Sequence, residues 1–302
     1  VLWSFEPAEV ETMTAERRNV RYLPDAPFPE ILEVTASLRE AVHGAEDVLI
    51  VVPSHGFRTT LEALRDLDTP LHRLAWATKG FELETGLLPH QVAEQVFPSG
   101  LSTAVLSGPT FAKEVGAGLP TAMVVASTDQ DYAMRLAQEV STDSFRAYTS
   151  NDIVGVEVGG GTKNVLAIGA GISDGLGFGA NTRIALVTRG LMEMTRLGLA
   201  LGARKDTFMG LSGMGDLVLT CTDDHSRNRR FGLALARGVE IDTAREEIGL
   251  VEGYYAARAV HSVAERTGVK MPIAEQIYKV IYEGTEPRQA VRALMRRPIT
   301  PE

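Results

Sequence analysis

The sequence predicts an α/β protein: a doubly wound parallel sheet over residues 1–152, joined directly to an all-helical domain over 153–302. Three observations carry this. Short β-branched runs alternate with helical patterns through the first half. Strand-like runs stop near residue 152, and long segments with helical spacing replace them. A chain of 302 residues also exceeds the size at which one core keeps growing.

In order, the strand-like runs are V-L-W-S-F (1–5), I-L-E-V-T (31–35), D-V-L-I-V-V-P (47–53), R-L-A-W-A-T (73–78), S-T-A-V-L-S (102–107) and T-A-M-V-V-A-S (121–127). Several are continuous β-branched runs, as strands covered on both faces require. Helix-like segments lie between them, at 37–43 and 130–140. In the second half, helical spacing runs through 182–198, 256–267 and 273–282, with Met271–Pro272 as a break. No Gly/Ser-rich or Pro-rich linker separates the halves, so the cleft between them is the natural ligand site.

Composition is that of a globular chain, 44% hydrophobic and 23% charged, with mean hydropathy close to zero. The net charge of −9 argues against general affinity for nucleic acid or anionic membranes. A single cysteine, Cys221, leaves no internal disulfide framework and fits a reducing, cytoplasmic setting. No uncharged apolar run reaches the ~18 residues of a membrane helix.

Several short segments bear chemistry. In G-G-G-T-K-N-V-L-A-I-G-A-G (159–171), Lys163 stands between a glycine triplet and a nearly uncharged run. It is either a snorkelling lysine at a helix start or a proton-transfer group in a water-poor cleft. The glycine patterns at 169–171 and 175–179 follow a helical pattern rather than a strand, so neither is a dinucleotide loop. Lys79 falls at the carboxyl end of a predicted strand, where open α/β sheets place ligands. Gly108 and Pro109 form a turn after the next strand, and Thr110 can cap the helix that follows, so this segment is a plain turn or an anion contact. Asp216, between glycines and an apolar run, is a helix cap or the partner of a buried cation. Ser226, Arg227 and Asn228 open the densest basic patch of an acidic chain; a hydroxyl, a forked guanidinium and an amide suit a phosphate monoester.

Taken together, V-V-P-S-H-G-F, W-A-T-K-G, S-G-P-T-F-A-K-E, G-G-G-T-K-N-V-L-A-I-G-A-G, D-G-L-G-F-G-A-N, G-D-L-V-L-T-C, S-R-N-R-R-F-G and V-E-G-Y closely resemble, in order, the segments of the NAD(P)-dependent sn-glycerol-3-phosphate dehydrogenases, over essentially the whole chain. The resemblance implies a Rossmann-like N-terminal domain and a helical substrate domain. It implies interconversion of glycerol 3-phosphate and dihydroxyacetone phosphate, supplying glycerol phosphate for phospholipid synthesis. Lys163 matches the proton acceptor, with Lys79 and Asp216 beside it in the catalytic group. Lys79, Gly108, Thr110, Lys163, Asn164, Asp216, Thr220, Ser226, Arg227 and Asn228 match substrate-site positions. Phe5, Phe57, Lys79, Ala112, Arg227, Leu250 and Glu252 match cofactor-site positions, and no metal is implied.

The chemistry is consistent with these residue types. Taking hydride from a secondary alcohol requires its hydroxyl proton to leave as the carbonyl forms. A free lysine, with a pKa of ~10.4, is a poor base until burial and neighbouring cations lower it. The cofactor is NAD or NADP; Phe5 and Glu6 at the end of W-S-F-E favour NAD, and Arg17 and Arg18 would favour NADP if they reach the ribose. The expected partners are a small phosphorylated substrate and a second copy of the chain in a homodimer, with no nucleic acid and no membrane span. The family's first strand and G-x-G-x-x-G turn have no counterpart after Val1, so roughly 25–35 further residues are expected to precede it. Alternatives are a related two-domain dehydrogenase of another hydroxy compound, or a cofactor-free phosphometabolite-binding protein.

Overall fold

The computed structural model describes residues 1–98 and 100–298, so the last four residues of the expected second domain lie outside the described residues. The first half contains strands β1 (Leu2–Trp3), β2 (Arg18–Asn19), β3 (Leu23–Pro27), β4 (Val34–Thr35), β5 (Asp47–Ile50), β6 (Arg73–Trp76), β7 (Ser102–Ser107), β8 (Thr121–Ala126) and β9 (Phe145–Ser150). Helices α1 (Pro7–Glu16), α2 (Leu38–Val42), α3 (Ser54–Asp66), α4 (Pro89–Val96), α5 (Ala112–Gly116) and α6 (Gln130–Val140) connect them. All six strand-like runs contain a strand. The runs at 1–5 and 31–35 are trimmed to two residues each, because β1 and β4 ladder only with each other, in parallel.

The main sheet has the order β5-β6-β7-β8-β9. β5, β6 and β7 are parallel, as are β8 and β9, but β8 runs antiparallel to β7. Within the main sheet the parallel expectation therefore fails at this one junction. A parallel return needs a crossover that traverses the sheet's length. Between β7 and β8 the chain forms only the five-residue α5, so it turns and re-enters from the same end. β9 gives little sequence signal because it is an edge strand whose polar side faces out, with only Phe145 and Ala147 packed inward. The β2–β3 hairpin is masked by Pro24 and Pro27, which argue against a strand.

Side chains on the central strands alternate between two cores, as a sheet covered on both faces demands. Leu74, Trp76 and Val105 face α3 and α4, packing with Phe57, Leu61 and Val92. Ala75, Ala104, Leu106 and Val125 face α6, packing with Tyr132, Ala133 and Leu136.

The second half contains α7 (Ile153–Gly175), α8 (Ala180–Ala200), α9 (Asp216–Thr222), α10 (Arg227–Ala236), α11 (Ile241–Ile248), α12 (Glu252–Thr267), α13 (Pro272–Tyr282) and α14 (Pro287–Met295). α7 is the axis of the molecule. It is buried on every side from Gly155 to Ser173, the state expected of a helix that is apolar all round. Its first turn is capped by Asp152, whose carboxylate accepts from Gly155 N at 2.9 Å and also holds Arg204 N at 2.9 Å. Ile153 and Val156 join the core beneath the sheet, while Val165, Leu166 and Ile168 lie in the helical core, so one helix belongs to both. α10 crosses α7 at Gly171 and Gly232, with almost no gap. A Cβ on Gly171 would stand 2.0 Å from Arg229 O, and one on Gly232 2.1 Å from Ile168 O. The glycine pattern at 169–171 is thus a helix-crossing surface and not a cofactor loop.

Candidate active site

Three elements far apart in the chain deliver the central charges. Lys79 follows β6, Lys163 lies in the middle of α7, and Asp216 is the first residue of α9. The Asp216 carboxylate is shared: Oδ1 accepts from Lys163 Nζ, and Oδ2 from Lys79 Nζ at 2.8 Å. Lys79 Nζ also lies 3.4 Å from Gly108 O. Both Asp216 and Lys163 are buried, at 1% and 8% exposure. The glycine triplet makes this approach possible. A Cβ on Gly160 would touch Lys79 Cγ at 3.4 Å, and one on Gly159 would overlap Ser212 O at 2.3 Å.

Two lysines and one carboxylate cannot all sit at their ordinary pKa values. Burial lowers Lys163, the charge of Lys79 lowers it further, and Asp216 only partly restores it, leaving it at about 8. For Lys79 burial acts downward, but Asp216 outweighs it and holds the ammonium above its usual range. Asp216 resists burial in the same way: the two cations keep its carboxyl below the usual value. Near neutral pH the cluster therefore holds one fixed cation, one fixed anion and one lysine poised to exchange a proton.

Around this cluster runs a chain of amides. Asn164 Nδ2 donates to Glu252 Oε2 at 3.1 Å, and Asn228 Nδ2 donates to Asn164 Oδ1 at 2.9 Å. Asn228 Oδ1 in turn accepts from Gly253 N at 2.8 Å, tying the first turn of α10 to that of α12. Thr220 donates to Asp216 O at 2.5 Å. Ser226 caps α10, its Oγ accepting from Arg229 N at 3.2 Å. Arg227 sits beside it, half-buried, with no side-chain partner among the described residues. The Phe111 and His225 rings lie 5.7 Å apart, so the turn carrying Gly108, Thr110 and Ala112 faces the start of α10. The substrate-site residues named from sequence are thus linked into one neighbourhood.

The cofactor-site residues are less uniform. Phe5 presents an exposed ring beyond β1 and Ala112 is exposed, while Leu250 and Glu252 flank the α12 turn. Phe57 is a correction. Its ring is 2% exposed and packs edge-on against Trp76, with centroids 5.6 Å apart. On α3 it points into the core beneath the sheet, so it does not stack on a ligand in the cleft. Two buried groups escaped the sequence reading. Ser107 Oγ, at the end of β7, is buried without a hydrogen-bond partner among the described residues. Glu157, on α7, accepts from Trp76 Nε1 at 2.9 Å and from His90 N at 3.0 Å. A lone acid in the run I-V-G-V-E-V-G-G-G was the available signal, by the same reasoning that singled out Lys163.

The chain is similar over its length to proteins of one family. The family model described as NAD-dependent glycerol-3-phosphate dehydrogenase N-terminus matches residues 1–133, and its C-terminus counterpart matches 152–292. A glycerol-3-phosphate dehydrogenase [NAD(P)+] of Aeromonas hydrophila is 54% identical over 299 residues, covering 98% of this chain and 90% of the relative. One from Nitrosococcus oceani is 55% identical over 303 residues, covering 100% and 88%. The crystal structure of a glycerol-3-phosphate dehydrogenase from Coxiella burnetii superposes with a TM-score of 0.95 at 44% identity, covering 98% of this chain and 91% of that one.

Proposed function

The chain belongs to the NAD-dependent glycerol-3-phosphate dehydrogenase family, and from that premise we propose how its own residues carry out the interconversion of glycerol 3-phosphate and dihydroxyacetone phosphate. The observation that carries the reading is the buried triad in which one carboxylate serves two lysines and one of those lysines is lowered to about 8.

In the oxidative direction, neutral Lys163 accepts the hydroxyl proton of the substrate as the carbonyl forms. In the reductive direction its ammonium donates to the developing alkoxide. Lys79, held charged by Asp216, polarises the same oxygen without exchanging its own proton. Asp216 keeps both ammonium groups aimed at one point and stays ionised throughout. Arg227, at the head of α10 and without a side-chain partner among the described residues, takes the phosphate, with Asn228 and Ser226 completing the clamp. Anchoring the phosphate away from the reacting carbon turns binding energy into orientation.

A dinucleotide fits features this chain displays. The exposed Phe5 ring suits a planar base. The first turn of α3, with no side-chain cap, offers free N–H groups to an anion. The buried Ser107 hydroxyl has no hydrogen-bond partner among the described residues. When bound, the nicotinamide supplies or accepts the hydride; Phe5, Ser107, Ala112, Leu250 and Glu252 are the residues we assign to holding it. NAD is the preferred form. Arg17 donates to Leu32 O at 2.7 Å and Pro29 O at 2.6 Å, and Arg18 to Pro24 O at 3.3 Å, so both guanidinium groups are engaged by backbone carbonyls. The remaining elements of the proposal are a division after residue 152, a cytoplasmic homodimer, and a small phosphorylated substrate with no role for nucleic acid. No helix among the described residues is long and apolar enough to cross a membrane. The direct test is NADH oxidation with dihydroxyacetone phosphate as the added substrate. Turnover that persists with a non-phosphorylated ketone but not with this one would reject the assignment.

A further inference from the structure

Glu157 is a buried acid outside the lysine cluster, its side chain fully enclosed. Its carboxylate is a junction of three elements. Oε1 accepts from the indole Nε1 of Trp76, in β6, and from the backbone N–H of His90, in the first turn of α4; Oε2 meets His90 Nδ1 at 2.5 Å. Burial opposes charge on His90, but the hydrogen bond and the charge of Glu157 outweigh it and raise the imidazole above its usual value. Removing a carboxylate from water is costly, and a backbone N–H and an indole need only a neutral acceptor. Packing alone does not call for an acid here.

The position of this junction supplies a reason. Trp76 lies three residues before Lys79 on the same strand end, and Glu157 lies six residues before Lys163 on α7, about 9 Å along the axis. Between the two points the Lys79 stem lies against α7, at van der Waals distance from where a Cβ on Gly160 would be. The separation of the two ammonium groups therefore depends on how β6 sits on α7, and Glu157 is a polar bond between these two elements. We propose that Glu157 is a positioning residue for the lysine pair: its carboxylate locks the strand end that delivers Lys79 to the helix that carries Lys163. This rests on Lys163 being the proton-transfer group.

The consequence can be measured. Misplacing a reacting group by about 1 Å can cost about 10²-fold in rate. If β6 loosens on α7, Lys79 stands further from Lys163. The like-charge repulsion weakens while Asp216 and Glu252 still favour the ammonium, so Lys163 titrates higher. The experiment compares the full-length wild type with Glu157→Leu, Trp76→Phe and Lys163→Ala. It measures kcat and KM for dihydroxyacetone phosphate reduction across the pH range, with thermal melts alongside. Glu157→Leu, which removes the acceptor that a Gln would keep, is expected to lower kcat at least tenfold and leave the cofactor KM within about twofold. It should also move the alkaline limb of kcat upward by half a pH unit or more. A variant that melts earlier but keeps the wild-type kcat and limb overturns the proposal, because a purely structural acid would behave so. If Glu157→Leu does not fold, Trp76→Phe removes the strand-side donor and leaves the carboxylate; the same loss and shift support the lock, and wild-type values overturn it. Lys163→Ala separates the two readings. If it stays active, the proton-transfer assignment falls, whatever Glu157 does.

Discussion

Replacing Asp216 by Asn removes the shared counterion while keeping the shape of the side chain. Burial and the charge of Lys79 already lower Lys163 to about 8, against the upward pull of Asp216. With that pull gone, the lysine falls further. Breaking a buried ion pair costs about 3–5 kcal/mol. If half of this acts on Lys163 ionisation, at ~1.36 kcal/mol per pH unit, its pKa drops by about one to two units. At about pH 7.5 the ammonium fraction then falls from roughly three-quarters to between a quarter and a few per cent, by the same free-energy relation. Reduction of dihydroxyacetone phosphate uses that ammonium, so its kcat should fall by about 3–25-fold from protonation alone. Lowering the pH should recover part of the loss, because acidification refills the ammonium form. Glycerol 3-phosphate oxidation, which uses the neutral amine, should keep more of its rate at the same pH. The assay is NADH absorbance in both directions across pH, with circular dichroism to confirm folding. An alkaline limb still near 8 in the variant would refute the argument that Asp216 sets the charge of Lys163.

Four further outcomes are expected. Lys163→Ala should lower kcat by about 10²–10⁴-fold, the range for a lost acid–base group, with cofactor affinity unchanged by titration. Arg227→Ala removes a charge-assisted bond of about 1.5–3 kcal/mol, so KM for the phosphorylated substrate should rise at least tenfold while the cofactor KM holds; equal losses would move the phosphate site elsewhere. Gly171→Ala would push a methyl group to within 2.0 Å of Arg229 O, so thermal unfolding should show a loss of at least ~1–3 kcal/mol as α7 and α10 separate. Cys221 is fully buried and its thiol is pushed up to about 12, so native protein should not react with a thiol reagent until it is denatured.

The periodicity of the chain carried most of the architecture. Buried strands appear as apolar runs and helices as three-and-four spacing, and both are properties of adjacent residues. The six strand-like runs, the change to helices near residue 152 and the rejection of 169–171 as a cofactor loop were legible for that reason. Lys163 was legible because a charge in an apolar run is anomalous wherever the chain goes. Glu157 gave the same signal in the same helix, but its partners come from the sheet, and nothing local distinguishes a bonded acid from a solvated one. β8 reverses because of how far the chain travels after β7, a distance set by the short α5 and not by the residues of either strand. Phe57 stands in a ligand-like segment, yet the direction of its ring depends on which face of α3 meets the sheet. By sequence alone Asp216 is either a cap or a counterion. It became the counterion of two lysines because α9 is packed where α7 and the end of β6 already meet. Those contacts join residues 53 and 137 positions apart in the chain. Sequence patterns record what each element buries; the charge state of a buried lysine depends on distances between elements, and only packing sets those.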